Sequence, residues 1–169
     1  MKSIVIFGGA GFVGKHLTRR LAKKGYKIII PYQKSIQEAK IRLLGVTGQI
    51  MPFRYSSLDD QRLKNVLKNS DIFINLKTTY DQKSGDFNST IFKFNKKLIS
   101  ILKKNISLEK YVFFSGLGVD IDKNSKRSIA VYKSEKEALK NIKNTIIISP
   151  GVIIGGGDLF LKRLIPIFK

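Results

Sequence analysis

The chain has no cysteine and no tryptophan, and only one histidine and four prolines among its 169 residues. Without thiols there is no disulfide framework and no thiolate metal site. The one histidine, His16, falls in a helical stretch, where a surface or helix-packing role is expected. Asp59-Asp60 and Asp120/Asp122 read as helix-start or loop acids, so no metal centre is expected. Acids are scarce throughout, 12 against 32 basic residues, for a net charge of +20. No apolar run approaches the ~20 residues needed to cross a bilayer. The first strand-like run begins at Ile4, directly after Met-Lys-Ser, and predicts no signal or transit peptide. A soluble, cytoplasmic protein is the expectation.

What is present is an ordinary globular composition, 43% hydrophobic, in a length suited to one domain. The positive charge raises nucleic acid as a partner. The lysines are dispersed, however. Between Asn88 and Asn105, Ile91, Phe94, Leu98, Ile101 and Leu102 form an apolar helical stripe, and Lys93, Lys96, Lys97, Lys103 and Lys104 take the remaining face. That pattern is a solvated helix surface. Salt-sensitive sticking to polyanions is expected; a dedicated nucleic-acid site is not.

Six short apolar runs predict strands: Ile4–Phe7, Lys27–Pro31, Gln49–Phe53, Asp71–Leu76, Tyr111–Ser115 and Thr145–Ser149. Most are continuous rather than alternating, as strands buried on both faces are. Helical patterns separate them at Phe12–Lys24, Asp60–Lys68, Asn88–Asn105 and about Tyr132–Ile142. Lys77–Asp86 and Asp120–Ser128 read as polar loops. Alternating strands and helices predict an α/β fold, a doubly wound parallel six-stranded Rossmann sheet with helices on both faces, in the order 3-2-1-4-5-6. Residues 1–157 make the nucleotide domain, and 158–169 begin a C-terminal region.

After the first strand comes Gly8-Gly9-Ala10-Gly11-Phe12-Val13-Gly14. It satisfies both G-x-G-x-x-G and G-x-x-G-x-x-G. One glycine permits the tight turn, one lets backbone approach a pyrophosphate, and one lets helix and strand pack closely. The helix N-terminus then offers N–H groups and a positive dipole to the anion. A lone motif of this kind is weak; between a strand and a helix at the start of a six-strand alternation it predicts a dinucleotide.

An acid about 20 residues on would hold the adenosine ribose of NAD, but no Asp or Glu precedes Glu38. The second strand instead runs into Gln33 and Lys34. Lys34 can reach a ribose phosphate, with Lys15 in the helix's first turn beside the same spot. NADP(H) is the preferred cofactor and NAD(H) the alternative; lysines that are mere background in a Lys-rich chain are the competing explanation.

These residues resemble the extended and atypical short-chain dehydrogenase/reductases, which are epimerase/dehydratase-like. Within that superfamily they resemble the nucleotide-binding accessory subunits of respiratory complex I (alpha subcomplex subunit nine) and their bacterial relatives. The likeness spans essentially the whole chain. It rests on F-G-G-A-G-F-V-G at Phe7–Gly14, I-I-P-Y at Ile29–Tyr32, G-V-T-G-Q-I at Gly45–Ile50, I-N-L at Ile74–Leu76 and G-V-I-I-G-G-G-D-L-F-L at Gly151–Leu161. R-L-L-G-V-T-G-Q-I is the most specific to the subunit family. The resemblance implies a domain that holds NADPH tightly without turnover, with Asn75, Leu76, Ser115 and Pro150 along the strand ends that line the cofactor. It also implies complex I as a partner.

Three departures qualify it. An Asp found near the adenine in many relatives is matched by Ser56. The relatives' C-terminal part, which builds the substrate pocket, lies beyond Lys169. Third, the superfamily's Y-x-x-x-K proton-transfer pair has two registers here. Tyr132 with Lys136 fits literally. The sequel K-x-E-x-E fits Lys133-Ser134-Glu135-Lys136-Glu137 and sits better against Pro150; it puts Ile129, which cannot transfer a proton, where the tyrosine belongs. In that register Lys133 is left to bind the nicotinamide ribose. An active reductase, epimerase or dehydratase using Tyr132 and Lys136 is therefore the alternative function. A cofactor-less domain binding RNA or membrane is the third.

Gly155–Asp158 reads as a loop and cap before a last helix, Leu159–Phe168. Its Phe160, Leu161, Leu164, Ile165 and Phe168 need a partner. The absent C-terminal half or another subunit fits best. With Lys162, Arg163 and Lys169 alongside, a membrane surface is the alternative, on the cytoplasmic side of the inner membrane.

Overall fold

The computed structural model describes residues 2–80 and 86–158. Six parallel strands form one sheet in the order β3-β2-β1-β4-β5-β6, as the sequence predicts. They are β1 (Ser3–Phe7), β2 (Lys27–Tyr32), β3 (Ile50–Arg54), β4 (Ile72–Asn75), β5 (Lys110–Phe114) and β6 (Thr145–Ile148). Helices α1 (Phe12–Lys23), α2 (Ile36–Arg42), α3 (Gln61–Lys68), α4 (Phe94–Leu102) and α5 (Lys126–Asn141) connect them. A π-helical stretch, Asn88–Lys93, leads into α4.

Successive side chains of a strand point to opposite faces. Ile4 and Ile6 of β1 therefore join Ile28, Ile30, Ile41 and Leu44 under α1 and α2. Val5 and Phe7 join Leu63, Leu67, Phe73, Leu98, Tyr111 and Val131 under α3, α4 and α5. This double-sided burial is why the strands read as continuous apolar runs. β6 departs from that expectation. It is one of the sheet's two edge strands, and Ile146 and Ile148 are exposed while Ile147 packs inward.

Three local readings are corrected. α2 adds a helix the sequence pattern does not predict, because only Ile41 of its seven residues is buried and no apolar stripe announces it. α5 starts at Lys126, not near Tyr132. Ser125 caps it by accepting from the Ser128 amide, while Asp122 accepts from the Ser125 amide and, at 2.8 Å, from Ser128 Oγ. The last three of the residues read as loop, Lys126–Ser128, are thus the helix's first turn, and the loop before them supplies its caps. The helix expected over Asn88–Asn105 carries the π-helical stretch at its start and ends at Leu102. The helix expected over Leu159–Phe168, with its apolar and basic residues, lies outside the described residues.

Among the described residues no helix is long and apolar enough to cross a membrane.

Candidate functional site

The strand order reverses direction between β1 and β4, so a crevice opens beyond their carboxyl ends. Its wall is the loop Gly8–Gly11, entering α1. Gly8 has φ +80°, and a Cβ there would lie 2.9 Å from the Leu76 backbone carbon. A Cβ on Gly14 would lie 2.6 Å from Gly9 Cα, so only glycine lets α1 rest on the loop. A Cβ on Gly9 would meet the Ile30 side chain at 2.8 Å. Gly11 differs: a Cβ there meets only the Gly8 carbonyl oxygen, at 3.1 Å, and the residue is exposed. Three glycines are thus used by the protein's own packing, and one presents bare backbone outward. The Gly11 amide donates to Gly8 O at 2.9 Å and holds the turn.

Gly11 is the N-cap of α1 and has no side chain to offer; no acid stands in the first turn. The amides at Phe12 and Val13 begin the helix without a capping side chain, which is the arrangement an anion fits. Lys15 is in the same turn, but its ammonium is turned toward Gly157. His16 Nε2 lies 3.1 Å from Gly156 O, and its ring meets Phe12 edge-on. The segment after β6 therefore lies along the start of α1. A turn closes it, in which Gly155 N donates to Asp158 Oδ2 at 3.1 Å.

At the β2 end, Gln33 and Lys34 are both exposed. Gln33 Nε2 donates to the Ser56 carbonyl at 3.1 Å, tying this end to the turn after β3. Glu38 is engaged elsewhere. It accepts from the Tyr32 hydroxyl and, at 2.6 Å, from Arg42 Nη2. Those two contacts, Tyr32's first, hold its carboxyl below the usual carboxylate range. Arg54 ends β3 directly opposite Tyr32 in the sheet register, a cation at this end that sequence reasoning missed. Its signal was present, a lone Arg closing an apolar strand.

At the β4 end, Asn75 is buried and turned inward. Its Nδ2 donates to Asn95 Oδ1 at 2.9 Å and to Tyr111 Oη at 3.2 Å, and Asn95 donates to Ser134 O at 3.1 Å. Burial pushes the Tyr111 hydroxyl well above its ordinary range. Asn75 touches the crevice edge only through Oδ1, which accepts from the Lys77 amide at 3.1 Å. Leu76 is half-buried, its amide bonded to Phe7 O at 2.9 Å. Ser115, just beyond β5, is buried, and its Oγ has no hydrogen-bond partner among the described residues. Pro150 O accepts from the Leu117 amide at 2.9 Å.

On α5, Tyr132 is half-buried and packs against the main core cluster. Lys136 Nζ lies 5.2 Å from its ring centroid. Ile129 is half-buried outside that cluster, one turn before the exposed Lys133. The two candidate pairs thus occupy neighbouring stripes of one helix. Of the other acids, Asp60 caps α3 by accepting from the Arg62 amide at 2.9 Å, and Asp59 pairs with Lys97.

The chain is 27% identical to the mitochondrial NADH dehydrogenase [ubiquinone] 1 alpha subcomplex subunit 9 of Arabidopsis thaliana, over 93% of this chain and 40% of the relative. It is 29% identical to the subunit of that name from Dictyostelium discoideum, over 94% of this chain and 44% of the relative. It thus spans roughly two-fifths of the length of these curated relatives. Among solved structures, the UDP-glucuronic acid 4-epimerase of Bacillus cereus superposes with a TM-score of 0.75 at 19% identity, covering 92% of this chain and 58% of that one. That likeness shows the fold. Residues 4–124 match the NAD dependent epimerase/dehydratase family. With that match over most of its length, on a six-stranded Rossmann sheet that opens in a glycine loop, the chain belongs to the NAD dependent epimerase/dehydratase family.

Proposed function

We propose that this chain holds a nicotinamide dinucleotide across the carboxyl ends of β1 and β4 and keeps it as a structural element rather than turning it over. The observation that carries this reading is the division of labour in the glycine loop. Gly8, Gly9 and Gly14 are filled by the protein's own atoms, while Gly11 offers open backbone at an uncapped helix start. A diphosphate fits there. NADP(H) is favoured over NAD(H), because Glu38 is engaged by Tyr32 and Arg42, and Lys34 and Arg54 leave the β2–β3 end positive. Lys133 is assigned to the nicotinamide ribose. Retention without turnover is supported by Ile129 standing one turn before Lys133 and by Tyr132 resting against the core. The likeness to complex I subunits supports an assembly role within a larger complex, at the cytoplasmic face of a membrane. Nucleotide released from protein purified without added coenzyme, identified by mass, tests this. NADPH or NADP+ at near one equivalent supports it; protein that is nucleotide-free and does not bind added NADPH overturns it.

One observation favours a second reading. The unpartnered Ser115 Oγ stands at the end of β5, and Tyr132 with Lys136 lies on α5. A reductase or epimerase acting on a small or nucleotide-sugar substrate would use such groups. Coenzyme turnover abolished by Tyr132→Phe would establish it.

A further inference from the structure

We propose that Lys77 is a charge contact for the diphosphate of the bound dinucleotide, meeting it from the β4 side of the crevice opposite the α1 amides. This rests on the dinucleotide reading above.

Lys77 lies two residues past β4. A Cβ on Gly8 would be 3.1 Å from the Lys77 nitrogen, so its backbone abuts the glycine loop at the point where the sheet order reverses. Its half-buried side chain runs to α4, where Nζ sits 3.9 Å from the Phe94 ring centroid. Phe94 in turn packs edge-on against Phe7, the last residue of β1. The lysine is held from both directions. Its amide is bonded to Asn75 Oδ1, and Arg127 of α5 fixes the next three residues. Arg127 donates to Thr79 O at 3.2 Å and to Thr78 Oγ1 at 3.3 Å, and its guanidinium carbon lies 4.1 Å from the Tyr80 ring centroid.

Among the described residues Lys77 has no carboxylate within ion-pair distance. Burial lowers its proton affinity from the ordinary lysine value, with no opposing charge to restore it. An ammonium withdrawn from water needs a counter-charge, and an aromatic face supplies only part of one. The anion this crevice admits is the one the glycine loop is shaped for. Lys15 and Lys34, the cations the sequence singles out, stand elsewhere, one turned to Gly157 and the other exposed at the β2 end.

Because both coenzymes carry the diphosphate, Lys77 acts on both alike. The test is titration calorimetry of the unaltered chain and of Lys77→Met against NADPH, NADH, ADP and adenosine. Methionine keeps the packing on Phe94 and removes the charge. NADPH, NADH and ADP should each weaken by roughly tenfold, adenosine should be unchanged, and Lys77→Arg should recover most of the loss. Lys77→Gln, read in the same titrations, serves where the methionine variant does not fold. Undiminished NADPH binding in the charge-free variants overturns the contact. So does an equal loss for adenosine, which would make the effect one of packing. If the unaltered chain binds neither coenzyme, the dinucleotide reading itself falls and this contact with it. If it binds both and Lys77→Met binds as tightly, only the contact falls.

Discussion

Asn75 donates to Asn95 at 2.9 Å, and this bond, with a second to the Tyr111 hydroxyl at 3.2 Å, turns the side chain that ends β4 away from the crevice and into the core. Asn95, with no exposed surface, also takes the Tyr111 hydroxyl and reaches Ser134 on α5. One amide thus joins β4, α4, β5 and α5 beneath the proposed cofactor. Asn95→Leu removes it and leaves the buried Asn75 amide and Tyr111 hydroxyl only each other, with the hydroxyl proton deprived of its Asn95 acceptor. A destabilisation of about 1–3 kcal/mol is expected, read as a lowered urea midpoint. A midpoint unchanged from the parent would show that the network contributes nothing net.

Gly14→Ala and Gly11→Ala should behave oppositely. At Gly14 the added methyl meets the Gly9 backbone, which cannot move without breaking the turn, so the fold loses roughly 1–3 kcal/mol. At Gly11 the methyl meets the Gly8 oxygen at 3.1 Å, a tight contact that needs a small shift of that carbonyl, and φ is −76°, so the fold loses less than at Gly14. The methyl stands instead where the diphosphate approaches, and NADPH affinity falls by about tenfold or more. Thermal melts alongside titrations separate the two.

Lys34→Glu should weaken NADPH by about tenfold or more while leaving NADH nearly unaffected, since a charge-assisted contact is worth ~1.5–3 kcal/mol. Equal losses for the two coenzymes would place Lys34 away from the extra phosphate.

Tyr132→Phe should leave NADPH retention and thermal stability close to the parent, because the ring keeps its place against the core and the hydroxyl has no assigned task. A large loss of retention would move the cofactor onto this residue.

Acidification should weaken the sheet's amino end in a defined way. Asp71 accepts from the Ser3 amide at 2.7 Å and from Ser3 Oγ at 3.0 Å, and these bonds hold its carboxyl below the ordinary aspartate value. A depressed folded value means stabilisation that is present above the unfolded value, near 3.9, and lost as pH falls through the folded one. Asp71→Asn should flatten that acid limb in melts taken across pH 2 to 5. An identical limb in the variant would assign the loss to other carboxylates.

The strand order and glycine loop were legible because each strand buried on two faces leaves an uninterrupted apolar run. The spacing Gly8–Gly11–Gly14 is local besides. The rest depended on contacts that a linear reading does not contain. Lys77 opens a polar stretch, K-T-T-Y-D, that looks solvated until Phe94, far along the chain, is folded over it. Asn75 ends β4, but which way its side chain turns is decided by Asn95 and Tyr111. α2 escaped because a helix that buries one isoleucine has almost no periodicity to detect.

The outward isoleucines of β6 have a consequence for how copies of this chain meet. Among the described residues β5 is that strand's one neighbour in the sheet, so its outer edge is a template for another strand. The charge of +20 holds copies apart in dilute buffer. Raising the salt from 0.1 M to 1 M contracts the reach of that repulsion from ~10 Å to ~3 Å. Brine that would free a polyanion-bound protein should therefore drive this one to cluster, edge against edge.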